Sequence, residues 1–488
     1  MEQVDVAIIG TGFGGVAMAI KLKQAGLGSF VIVEKEDRVG GTWRDNTYPG
    51  AACDVTSALY SFSFYPHVWS RKFPQQAEIL EYIEEVVDAY GLRRSIRFGS
   101  AVTSATFDET SGRWLLRCAN GTEIVARVLV SSVGQLNRPA FPEIQGLERF
   151  DGPAFHSARW DHSVELDGKA VGIIGTGASV IQFGPQVAPR ASATTIFQRS
   201  APYVLPKPDP VTPGWKRRLY ASLPAAQLPA RLKTFLTNEI FGSAIMGNLR
   251  MRSILTAQWS KYMRGIVKDP KLRELCTPDY AIGCKRILVA DDWYATVIRD
   301  DVEIVADPIT EIVSEGVVTA DGQLHELDVL IYGTGFQTTG FLQPMEVTGR
   351  AGARIEERWA EGAEAFRGVT VSGFPNLFFL YGPNTNLGAN SIVYMIESQV
   401  HYIIGLLTAA ALSEIASLEV RPAAERRWQA MIEEKSSSTS WMTGCHSWYT
   451  TNGKNTNNWP DHTWRYRTLM KDVDLLDFEL RPLPLASP

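Results

Sequence analysis

The residues of this chain with the clearest chemical meaning are glycines and the charged side chains that follow them at a fixed distance. In VDVAIIGTGFGG a β-rich run ends at Ile9, and Gly10, Gly12 and Gly15 fall in the spacing GxGxxG. Glycines there allow a tight turn, let the backbone approach a pyrophosphate and bring helix close to strand. The next strand-like run, SFVIVEK, reaches Glu34, 24 residues after Gly10, where a carboxylate can accept hydrogen bonds from adenosine ribose hydroxyls. The pattern returns 165 residues later in KAVGIIGTGASVIQ, with Gly175 and Gly177 in the turn and Arg199 in the register of Glu34. Val180 stands where the third glycine would be, which implies a slightly wider separation of helix and strand. An acid favours a free ribose 2′-hydroxyl, whereas an arginine clamps a 2′-phosphate. The first unit therefore suits FAD and the second NADPH, with Thr176, Ala178, Ser179, Gln182 and Ser200 as further nucleotide contacts.

Such sites need strand–turn–helix units to carry them, so the chain reads as α/β with two Rossmann-like dinucleotide-binding domains. A third piece, ELDVLIYGTGFQ, resembles the late strand of two-dinucleotide flavoproteins, with Thr334 and Gly335 in a tight turn at the cofactor. That layout splits the FAD domain. The expected division is residues 1–147 for its first part, 148–325 for the NADPH domain and 326–488 for the second part of the FAD domain. Helix formers and aromatic residues between 210 and 280 read as a helical insertion, whose apolar stripe is expected to pack against a domain rather than a membrane.

Composition narrows the class. With 45% apolar and 21% charged residues over 488 positions, the chain is that of a folded multidomain protein. A net charge of −5 gives no basic footprint for nucleic acid. The five cysteines are scattered, with no metal-ligand spacing, which argues against structural zinc and a disulfide scaffold. No cysteine pair is close in sequence, so disulfide reductases drop out, and a flavin monooxygenase or NADPH–flavin reductase is left. No cleavable leader and no uninterrupted apolar stretch of spanning length is seen, so no membrane partner and a reducing cytoplasm are expected.

The segment FDGPAFHSARWD carries Phe150, Gly152, His156, Trp160 and Asp161 in the pattern FxGxxxHxxxW[PD]. It resembles the fingerprint of type I Baeyer–Villiger monooxygenases. GGTWRDNTYPGAACD, GCKR, GFPNLFFLYGPNTNLG and SWYTTNGKNTNNWP extend the resemblance over nearly the whole chain, particularly to the 4-hydroxyacetophenone monooxygenase branch without its amino-terminal extension. The resemblance implies NADPH- and O2-dependent conversion of ketones to esters or lactones through an FAD C4a-peroxide. It further implies that Arg286 stabilises anionic oxygen, that Asp54 holds that arginine, and that Thr42, Trp43, Tyr60 and Val102 contact the flavin cofactor. Lys285, with Arg199 and Ser200, is implied at the 2′-phosphate, and Trp448 as a lid over the nicotinamide. His156 lies on the connection between the two domains, where a histidine sets orientation rather than serving as a base. Partners are expected to be a small ketone and O2, in a monomer or small homo-oligomer. An N- or S-oxygenating flavin monooxygenase and a non-catalytic nucleotide-binding protein are the alternatives.

Overall fold

In the computed structural model, which describes residues 1–338, 340–443 and 449–482, each glycine turn stands at the end of a parallel strand. The strand Glu2–Ile9 pairs with Phe30–Val33 on one side and Glu123–Ser131 on the other, both in parallel. Val6 to Ile9 form an unbroken buried run, as a strand covered on both faces requires. An antiparallel meander, Val102–Asp108 and Arg113–Cys118, extends this eight-stranded sheet beyond Glu123–Ser131. The late strands Glu346–Thr348 and Leu377–Phe379 join it from the carboxy-terminal half.

The helices Phe13–Ala25 and Ile392–Leu412 pack together in the core of this unit. Ile392–Leu412 is long and apolar enough to cross a bilayer by length and composition alone. Its Val393, Ile396, Val400 and Ile403 are buried against the first helix and its neighbours, so it is a core helix.

The second sheet has five strands, all parallel, in the order Val302–Val305, Ala193–Phe197, Ala170–Ile174, Val329–Tyr332, Ala154–His156. Here the structure corrects one expectation. Val329–Tyr332 does not begin the return to the first unit but lies inside the second sheet, between Ala170–Ile174 and Ala154–His156. The chain re-enters the first sheet only at Glu346. VLIY is buried along its whole length, and such a run suits the centre of either sheet, so its pattern could not choose between them.

The missing third glycine also has a structural answer. In the first unit a Cβ on Gly15 would stand 1.9 Å from the carbonyl oxygen of Gly10, so only glycine fits. In the second unit the bulk of Val180 is received by Gly333, where a Cβ would come within 2.1 Å of Val180 Cγ2. The glycine has moved to the neighbouring strand end.

The expected insertion is present as the helices Gly214–Ser222, Leu228–Ile245, Leu249–Ile266 and Pro270–Leu275. Asn248 and Asp269 cap the last two, accepting from the backbone N–H of Met251 at 3.1 Å and of Leu272 at 2.7 Å. Its apolar residues are divided: Leu255, Trp259 and Met263 pack into the core of the second unit as expected, whereas Leu228, Leu232, Leu236 and Ile240 are exposed. The reason is that Leu228–Ile245 turns its hydrogen-bonding residues inward. Arg231 donates to the carbonyls of Ala58 and Ser61 at 3.2 and 3.1 Å, and Thr234 meets Thr56 at 3.2 Å.

Cys53, Cys118 and Cys276 are buried free thiols, but Cys284 is disulfide-bonded, against the expectation from sequence spacing. A disulfide requires proximity in space only.

Candidate active site

The two units meet at Asp54. The carboxylate is 14% exposed and has a cation on each side: Arg286 Nη2 lies 3.4 Å from Oδ2 and Lys207 Nζ lies 3.6 Å from Oδ1. Gln182 Nε2 also donates to Oδ1 at 3.2 Å. One negative charge between two positive ones leaves the cluster with a surplus of positive charge. Burial pulls the pKa of the Arg286 guanidinium down, while Asp54, then Tyr449 and Tyr381, outweigh it and hold it above its ordinary value. Among the described residues Arg286 makes one long side-chain contact and remains 38% exposed, so its guanidinium offers further N–H donors to an incoming anion.

Gln182 ties the second unit to the first: Oε1 accepts from Tyr48 Oη at 3.0 Å and Ala52 N–H at 3.3 Å, and Nε2 also donates to the Ala52 carbonyl at 3.0 Å. His162 meets Thr47 Oγ1 at 2.9 Å across the same seam. Burial raises the Tyr48 phenol to about 12, which keeps it a neutral donor.

At the first glycine turn the expected flavin residues gather. Thr42 opens the short helix Thr42–Asp45, and Trp43 Nε1 donates to Tyr60 Oη at 2.9 Å. Phe13, on the helix after the turn, packs edge-on to Tyr60 with ring centroids 5.2 Å apart. Burial pushes the Tyr60 phenol well above its ordinary range. Glu34 is 4% exposed and accepts from Thr11 N–H at 3.0 Å, from the Thr11 hydroxyl and from Glu36 N–H at 3.1 Å, with Arg44 Nη1 3.1 Å away. These donors fill the carboxylate's acceptor sites, so a ribose hydroxyl at Glu34 must displace one of them. Val102 begins its strand half-buried, two residues after Ser100, whose N–H donates to the Glu34 carbonyl at 2.8 Å.

The second turn has a cationic end. Lys285 Nζ donates to Ser200 Oγ at 2.7 Å and lies 4.5 Å from the centre of the Tyr280 ring. Burial and then the charge of Arg199 lower its pKa. Arg199 and Ser200 border an open cavity of about 400 Å³, lined also by Lys271, Glu274 and Thr277. Gly177 has nothing within 4 Å of a Cβ position, leaving its turn open to a ligand. Thr176 Oγ1 donates to the Ser200 carbonyl at 3.0 Å, and Ala178 and Ser179 lead into the helix Val180–Val187. Thr334 and Gly335 lie at the end of Val329–Tyr332 beside this second turn, and both bond to Ala140 on the connecting chain.

The fingerprint residues are spread along the edge of the second sheet rather than at Asp54. A Cβ on Gly152 would stand 2.4 Å from the Asp328 carbonyl oxygen, while Phe150 packs in the small core beneath. Trp160 packs on Phe183 of the second-turn helix at 5.3 Å, and Asp161 accepts from Ser163. His156 is 2% exposed, accepts from Ala158 N–H at 3.0 Å through Nδ1, and packs on Phe141 and Phe336. Burial lowers its pKa to about 4, so it is neutral.

Trp448 lies outside the described residues. The two carboxy-terminal segments resembling the family are bound to each other through buried amides: Asn386 Nδ2 donates to Asn458 Oδ1 at 2.7 Å and Asn384 Nδ2 to the Asn455 carbonyl at 2.7 Å. Tyr381 Oη donates to Asn386 Oδ1 at 2.7 Å. A smaller cavity of about 20 Å³ is walled by Ile245, Leu387, Trp441 and Trp459, with Glu239 and His462 joined at 2.8 Å in its lining. Sequence reasoning missed Lys207, Tyr381 and Glu239. The only local signal for Lys207 was a lysine in a proline-rich turn eight residues after Arg199.

Residues 7–221 match the pyridine nucleotide-disulphide oxidoreductase family. The chain is 40% identical to a Baeyer–Villiger monooxygenase of Pseudomonas aeruginosa over 100% of its own length and 93% of that protein's. Among solved structures it is similar to cyclohexanone monooxygenase from Rhodococcus sp. Phi1 bound to NADP+, with a TM-score of 0.90 at 30% identity over 99% of this chain and 100% of that one. It is also similar to an oxidised steroid monooxygenase bound to NADP, with a TM-score of 0.89 at 32% identity over 98% and 99% of the two chains. The chain belongs to the Baeyer–Villiger monooxygenases.

Proposed function

We propose that this chain converts a ketone, O2, NADPH and a proton into an ester or lactone, water and NADP+, using FAD. The observation that carries this reading is the Asp54 carboxylate held between Arg286 and Lys207 at the seam of the two nucleotide-binding units. The residues fit the cofactors: the close backbone approach at Gly10 and Gly15 suits a flavin dinucleotide's pyrophosphate. The pairing of Arg199 with Lys285 suits a 2′-phosphate. When bound, FAD supplies the activated oxygen and NADPH its electrons.

The protein's own contribution is electrostatic. Oxygen insertion passes through negative charge on oxygen, and preorganised donors stabilise such charge best in a site that excludes water. Arg286 offers those donors, Asp54 aims it, and Lys207 draws on the same carboxylate so that Arg286 is not fully neutralised. Trp43, Tyr60 and Phe13 wall the flavin side. Gln182 locks the second-turn helix to the Asp54 loop, and the fingerprint residues hold the orientation of the second sheet, with His156 in a structural part. Domain limits follow the expected division, with the second boundary moved beyond Val329–Tyr332. The substrate class is a small-molecule ketone, acted on in the cytoplasm without nucleic acid by a monomer or small homo-oligomer. A panel of aryl, cyclic and linear ketones incubated with NADPH and air, with products identified by mass, tests the reading.

A further inference from the structure

The helix Leu228–Ile245 has two unlike faces. Inward it supplies Arg231, Thr234 and Glu239 to hydrogen bonds and walls the smaller cavity with Gly242 and Ile245. Outward it carries Leu228, Leu232, Leu236 and Ile240, at successive i+4 positions, with exposures of 62, 58, 51 and 59%. Trp215, Leu219 and Leu223, just before this helix, are exposed by 68, 41 and 55%. A soluble monomer seldom leaves an apolar patch beyond a few hundred Å² uncovered.

The charges around this face identify what covers it. Residues 214–266 contain nine Lys and Arg but a single acid, Glu239, in a chain whose net charge is −5. Glu239 is buried, so the exposed charges of this segment are all basic. Arg217, Arg218, Lys233 and Arg250 are exposed, and none takes part in an ion pair among the described residues. A symmetric contact with a second copy would set these cations against one another. Acidic headgroups over an apolar layer match both the charge and the leucine stripe.

We propose that this face docks reversibly on an anionic lipid bilayer, with Leu228, Leu232, Leu236 and Ile240 entering the headgroup layer and Arg217, Arg218, Lys233 and Arg250 meeting lipid phosphates. This replaces the expectation of no membrane partner with a peripheral one. The bilayer would then lie against the helix whose other face walls the cavity.

The test is sedimentation of the full-length, FAD-loaded protein with vesicles of phosphatidylcholine alone or mixed with phosphatidylglycerol. Wild type should partition at least about tenfold more strongly onto the mixed vesicles and be released by about 1 M salt. The double variants Leu232→Glu/Leu236→Glu and Arg217→Glu/Lys233→Glu should each lose about tenfold in partitioning, with flavin content and NADPH oxidation unchanged. Wild type left in the supernatant with both vesicle types would overturn the proposal. So would an association with mixed vesicles that neither double variant weakens. A wild-type dimer in solution that Leu232→Glu/Leu236→Glu dissociates, without vesicle binding, would assign the face to a second copy instead.

Discussion

Lys207 and Arg286 share one counter-ion: they approach opposite oxygens of Asp54, at 3.6 and 3.4 Å. A carboxylate divided in this way restrains the arginine without cancelling its charge. Removing Lys207 leaves Asp54 to pair with Arg286 alone. Lys207→Met should therefore lower ester formation by about ten- to a hundred-fold, the equivalent of one charge-assisted contact of roughly 1.5–3 kcal/mol. Hydrogen peroxide released per NADPH should rise, and Lys207→Arg should restore part of the loss. Unchanged coupling in Lys207→Met would remove Lys207 from the account. Arg286→Ala should cost more, about a hundred- to a thousand-fold, as loss of an oxyanion donor does. Combined with Asp54→Ala its effect should not add, because both substitutions damage one cluster.

Coenzyme choice rests on Arg199 and Lys285. Arg199→Ala should weaken NADP+ binding by about ten- to a hundred-fold and leave NAD+ nearly untouched, as measured by titration of the FAD-loaded protein. The pH dependence carries the same signature. Lys285 has a lowered pKa, caused by burial and then by Arg199, and only its protonated form attracts phosphate. NADP+ affinity should therefore fall with rising pH before an ordinary lysine would titrate, and Arg199→Ala should move that fall upward. Equal losses for both coenzymes would mean that Arg199 does not read the phosphate.

The exchange between Val180 and Gly333 predicts a compensating pair. Gly333→Ala places a Cβ about 2.1 Å from Val180 Cγ2 and should destabilise the protein by roughly 1–3 kcal/mol, the usual cost of overpacking. Adding Val180→Gly should recover part of the loss. Strict additivity of the two effects in denaturant unfolding would show that the contact is not the reason for the glycine.

His156 makes a prediction about acid stability. Its pKa is lowered to about 4 by burial, against about 6.5 in an unfolded chain. Between those values the unfolded state binds the additional proton, so stability falls as pH falls through this window. Lowering the pH from 7 to 5 should cost wild type about 2 kcal/mol through this residue. His156→Gln should lack that component, and identical pH profiles of the two unfolding midpoints would contradict the burial argument.

What the sequence showed was mostly local. The two glycine turns with Glu34 and Arg199 are readable because their spacing is set within one strand–helix–strand unit. Asp54 and Arg286 are 232 residues apart, so only resemblance to a family linked them. Lys207, 153 residues from Asp54 in sequence, belonged to no matched segment and emerged only from the fold. The bonds of Gln182 to Tyr48, Ala52 and Asp54 join residues at least 128 positions apart, so its place after the second turn did not show them. The i+4 leucines of Leu228–Ile245 announced an apolar face but not that its opposite side would take the interior contacts.

The most direct measurement follows the inserted oxygen. The FAD-loaded protein is given NADPH, a ketone and 18O2, and the product is weighed. The account predicts an ester or lactone carrying one 18O, none acquired from labelled water, and one NADPH consumed per product. Consumption of NADPH with hydrogen peroxide as the sole oxygen product from every ketone, while an amine or sulfide gains 18O, would contradict it.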